Sequence, residues 1–129
     1  MTGAQLAAAA SIVVLSACGG AGQLTDLEAD ARSIRATALM ASGAWLAGQV
    51  RGSYARATLL EAGRLVEQQQ ATLTTSPRLL ADARGAALGT ADAELARHLA
   101  ILWTAVGRGD AAAVRRERDA LASARGAAP

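Results

Sequence analysis

The 129 residues are about the length of one domain, and 13 basic against 11 acidic side chains leave a net charge of only +2 with a pI near 9.5. That balance, with Trp45, Tyr54 and Trp103 as the only aromatic residues, excludes the dense basic surface interleaved with stacking rings that nucleic-acid binders use. A single cysteine excludes an internal disulfide, a Cys-x-x-Cys pair and a sulfur-rich metal site.

All the basic residues are Arg, a bias that GC-rich coding explains, and there is no Phe. Hydrophobic residues reach 52%, but Ala supplies much of that, so any core must be built from Leu and Ala. Each buried Leu contributes roughly 1.5 to 3 kcal/mol against a typical net stability of about 5 to 15, so one or two Leu contacts decide whether such a domain folds.

The chain opens on an uncharged apolar run, Leu6 to Leu15, of the length of a signal-peptide core. A membrane-crossing helix needs about 20 apolar residues, which this run does not reach. It ends in Leu15-Ser16-Ala17-Cys18, followed by Gly19-Gly20-Ala21-Gly22. This stretch resembles the lipobox of bacterial lipoproteins, in which a Leu, two small residues and a Cys mark where the signal peptide is cut and a lipid attached. The resemblance covers residues 6 to 22 and implies a signal peptide over 1–17, with Cys18 as the first mature residue and the lipidation site. Residues 18–23 are then a lipidated Cys and flexible tether, and 24–129 a helical bundle domain.

Two or three acyl chains, at about 0.8 kcal/mol per buried methylene, would make attachment effectively permanent. Gly19 stands where an Asp retains proteobacterial lipoproteins at the inner membrane, which implies the periplasmic face of the outer membrane if that sorting system operates. Met1 to Gln5 carries no basic residue, where a signal peptide has a positive start. A start codon upstream accounts for this; so does an apolar segment that is never processed.

Thr25-Asp26-Leu27-Glu28 has the spacing of a capping box and predicts a helix start at Thr25. Leu27, Ala31, Ile34, Ala38, Ala41 and Trp45 then recur on one face. Gly48 to Gly52 reads as a turn with Ser53 as the next cap, one continuous helix from 25 to 75 being the alternative. A second helix follows, with Leu59, Ala62, Val66, Gln69 and Leu73 on its seam. Ser76-Pro77 predicts a third helix, seamed by Leu88, Leu95, Leu99, Leu102 and Val106 and ending at Gly107, with Gly85, Gly89 and Thr90 as points where it bends. Asp110 caps a last, shorter helix that buries Val114 and Leu121. The expected fold is all-α, an antiparallel up-and-down bundle of four helices. A three-helix bundle with a long bent hairpin is the alternative.

Chemistry-bearing residues are sparse. His98, the only His, lies beside the Leu95 and Leu99 seam with Glu94 one turn before it, and is expected as a partly buried residue bonded to a carboxylate. A cofactor-binding bundle, with haem on His98 and Met40 or a metal on His98, is the alternative. A di-iron bundle would need two Glu-x-x-His motifs. No catalytic residue, cofactor or metal site is predicted, since the acids are scattered and no phosphate loop or nucleophile elbow occurs.

Arg115, Arg116, Arg118 and Arg125 give the last helix a basic face, suited to solvent, anionic lipid heads or an acidic partner. Arg108-Gly109-Asp110, the tripeptide that integrins read, is explained at this position by helix-stop and cap chemistry. The reading as a whole is a non-enzymatic envelope lipoprotein, attached to the membrane through its lipid and acting as a binding or structural module, with an envelope protein as a possible partner. An unprocessed helical adaptor is the alternative.

Overall fold

The computed structural model describes the backbone of residues 2–124 and the side chains of residues 20–124; Leu15, Ser16, Ala17 and Cys18 therefore lie outside the described side chains. The described chain is all-helical, with no strand: α1 (Thr2–Leu46), α2 (Gly52–Thr74), α3 (Pro77–Ala81), α4 (Ala83–Gly107) and α5 (Ala111–Ser123). Among these residues no helix is both long and apolar enough to cross a membrane.

Two helix boundaries are set by glycines in the left-handed conformation that a Cβ disfavours. Gly48 (φ 71°) follows α1, donating from its amide to the Trp45 carbonyl at 3.0 Å while Gln49 donates to Ala44 at 2.9 Å. Gly109 (φ 66°) follows α4 with the same pair of bonds, its amide to Val106 and that of Asp110 to Ala105, both at 3.0 Å. The expected turn at Gly48 to Gly52 is therefore present, and the single helix from 25 to 75 is not. The residue before α2 is Arg51, which makes no side-chain cap bond; Ser53 is inside the helix.

Thr25 is not a helix start. Its hydroxyl donates to the Ala21 carbonyl at 3.1 Å, one turn back inside α1. With helix already formed upstream, the amides that the capping box would satisfy have carbonyl partners. Gly20 to Gln23, expected within the tether, are helical here, and Leu24 is the first described residue to be buried, at 1% exposure.

The helix expected from Pro77 to Gly107 is divided at Asp82. The Asp82 carboxylate accepts from the Arg84 amide at 2.8 Å and its backbone is extended (φ −76°, ψ 136°), so it caps α4 and stops the five-residue α3. An Asp that can bond to the backbone two residues on competes with the helix ladder. The break thus falls before Gly85 rather than at it.

The seams of α2 and α4 are buried as their periodicity implies: Leu59, Ala62, Val66, Gln69 and Leu73 on one, Leu88, Leu95, Leu99, Leu102 and Val106 on the other. α4 packs on α2, on α5 and beneath α3, while α1 lies against α2, α5 and α4. The main core runs from Ile34 and Ala38 through Val66 and Leu102 to Val114 and Leu121. A smaller cluster of Leu24, Leu73, Leu79 and Leu88 closes the end where α3 crosses. Polar ties join the elements: Arg84 to Glu28 and to Thr25, Arg118 Nε donating to the Leu39 carbonyl at 3.1 Å, and the Arg56 guanidinium 3.9 Å over the Trp103 ring.

Candidate functional site

A groove runs between α1 and α2, and small side chains make it. Ala57 and Ala62 of α2 and Ser33 and Thr37 of α1 line it together with the larger Ile34 and Leu65, and side chains that small leave space between the helices unfilled. One lobe, of about 360 Å³, is lined in part by Tyr54, which is 60% exposed. A second lobe, of about 380 Å³, meets the first at Ser33, Ile34 and Leu65 and continues past Asp30 and Leu27 to Gln69 and Thr72.

Gln69 ties the two helices together at the second lobe. It is 4% exposed, and its Nε2 donates to the Leu27 carbonyl at 2.7 Å, which stitches α2 to α1. The same bond fixes the amide, leaving Oε1 buried with no donor facing it. A buried acceptor without a partner costs about 1 to 3 kcal/mol. Of the acids on the groove, Glu61 is bonded by Arg64, which holds its carboxyl below the usual range, whereas Asp30 makes no ion pair among the described residues. No Arg lines either lobe.

On α4, between Leu88 and Leu95, Asp92 is fully buried with both carboxylate oxygens unpartnered, and burial pushes its pKa up to about 7. Its carboxyl is thus held near the point of protonation by desolvation. Sequence reasoning passed over it, although its spacing, four after Leu88 and three before Leu95, puts it on the seam.

His98 is buried and bonded to a carboxylate, but the partner is Glu117 of α5 rather than Glu94, which is exposed. Met40, its companion in the haem alternative, is 66% exposed. No cluster of three or more His, Cys, Asp or Glu fit to hold a metal occurs among the described residues. Arg115 and Arg116 are exposed, Arg118 is drawn inward onto Leu39, and Arg125 lies outside the described residues. The Arg108-Gly109-Asp110 turn uses Gly109 for the left-handed residue, while the Asp110 carboxylate accepts from the Ala113 amide at 3.0 Å.

Comparison with protein-family models, curated proteins and solved structures gives no match.

Proposed function

We propose that this chain is a lipid-anchored protein of the bacterial envelope whose helical domain is a non-enzymatic binding module. The observation that carries the proposal is Leu15-Ser16-Ala17-Cys18 at the end of an uncharged apolar run. The start of the packed core at Leu24 is in keeping with a boundary just after Cys18, since Ala21, Gly22 and Gln23 are exposed. The four longer helices, joined by tight turns at Gly48 and Gly109, are read as an antiparallel up-and-down bundle with α3 as a short elbow. Gly19 favours the outer membrane, with the domain facing the periplasm. The α1–α2 groove offers the recess such a module needs, and an envelope protein remains the candidate partner for the exposed faces.

A second reading draws on the continuity of α1 from Thr2 to Leu46. A chain that is never cut would keep this segment as a helix and act as an unprocessed adaptor.

Membrane fractionation separates the two. The anchored protein stays with membranes through high salt and alkaline washing and is released by detergent, while Cys18→Ala either appears in the soluble fraction or is retained as uncleaved precursor. A native chain washed off by salt, and unaffected by Cys18→Ala, contradicts the anchored reading.

A further inference from the structure

We propose that the end of the bundle closed by α3 opens as a unit of its own, and that ionisation of Asp92 drives the opening. Three features of the structure meet at that end.

The first is a gap in the core. Leu73 of α2 and Leu88 of α4 belong to the smaller cluster, Val66 and Leu95 to the main one. Gln69 lies between Val66 and Leu73, and Asp92 between Leu88 and Leu95, so on both helices a buried polar residue stands where the clusters fail to join. Gln69 Oε1 and both Asp92 oxygens are buried without a donor. The second is a pair of hinges. The five-residue α3 is bounded by Ser76 and Asp82, both extended, so it can lift without breaking a helix ladder. Leu79 holds it down, against Leu24, Leu73 and Leu88.

The third is charge. The buried face of α2 is uncharged, and α3 brings only the exposed Arg78. From α1 come the half-buried Arg35, Glu28, which Arg84 holds, and Asp30 on the groove; on α4 itself His98 is bonded to Glu117 of α5. None of these offsets the burial that pushes the Asp92 carboxyl up to about 7. An ionised Asp92 regains water only where its surroundings part, and an end held by four leucines between two hinges parts more readily than the main core. Leu24, Leu27 and Ala31 belong to that end, so the first turns after Cys18 are released with it. In the anchored reading those turns join the domain to the membrane, and rising pH loosens the joint.

The test is hydrogen exchange on the full chain carrying Cys18→Ala, each amide's rate being taken relative to that of a free peptide at the same pH. At pH 5, residues 71–91 are expected to be about ten-fold or more less protected than residues 55–66 and 99–106. Between pH 5 and pH 7 their protection should fall by about 50-fold, the ratio for a carboxyl that ionises on opening and returns from about 7 to 3.8. Asp92→Asn should remove that fall and leave the end weaker than the core. Asp92→Leu joins the clusters and should raise the protection of residues 71–91 to that of the core.

Equal protection of the two regions in the parent overturns the separate unit. A less protected end with no fall between pH 5 and pH 7, or with a fall that survives Asp92→Asn, overturns the role of Asp92. The opening belongs to the domain with or without lipid, so its failure leaves attachment through Cys18 to be decided by fractionation.

Discussion

Between about pH 4 and pH 7 the folded chain is expected to lose on the order of 4 kcal/mol of stability through Asp92 alone, at 1.36 kcal/mol for each unit that its pKa of about 7 stands above the ordinary Asp value of 3.8. The sign follows from proton binding. In that interval the native state still holds the Asp92 proton while the unfolded chain has released it, so rising pH favours unfolding. Below about pH 4 both states are protonated and the contribution is complete; above pH 7 both are ionised, and the fold carries a buried charge with neither oxygen bonded.

Urea midpoints measured from pH 4.5 to 8.5 on the parent and on Asp92→Asn would show the effect as a slope present in the parent and absent in the variant. The slope is the safer readout, because the Asn amide also lacks a partner and lowers stability at every pH. Asp92→Leu removes the polar group altogether and should exceed the parent in stability above pH 7. Parallel pH profiles for parent and Asn variant would mean that water or a moved side chain already satisfies the carboxylate.

Gly85→Ala is expected to cost about 3 kcal/mol, at the upper end of overpacking effects. A Cβ built on Gly85 would lie 1.7 Å from the Leu79 carbonyl oxygen and 2.6 Å from its carbon, both backbone atoms that cannot rotate away. The elbow of α3 must lift off α4, taking Leu79 from its cluster with Leu24, Leu73 and Leu88. Gly85 is the third residue of α4, so even the full gain of about 1 kcal/mol that Ala brings to a helix interior would not offset this. Gly63→Ala is the control, since nothing lies within 4 Å of its Cβ position in the middle of α2. That variant should raise the denaturation midpoint where Gly85→Ala lowers it. A neutral Gly85→Ala would mean that α3 is not docked on α4 as described.

The helical seams were legible because burial follows period: every residue placed on the α2 and α4 stripes is buried. The turns at Gly48 and Gly109 were legible because only glycine takes that backbone conformation at little cost. Asp82 was not, since an Asp reads equally as a solvent-facing helical residue until the direction of α3 is known. Thr25 misled for the opposite reason, its capping pattern being genuine locally but overridden by helix upstream. His98 was placed on the right chemistry and the wrong partner, because its bond to Glu117 depends on how α5 folds back. The groove had no sequence signature at all, because it depends on small residues of two helices, Ala57, Ala62 and Ser33, lining the same recess.

The anchored-module account stands on Cys18, and the intact mass of the N-terminal peptide of protein taken from bacterial membranes tests it most directly. The account predicts a chain that begins at Cys18 and carries acyl mass on that residue, with neither the cut nor the added mass in Cys18→Ala. A chain still running through residues 1–17 with an unmodified Cys18 thiol would contradict it and leave the unprocessed adaptor in its place.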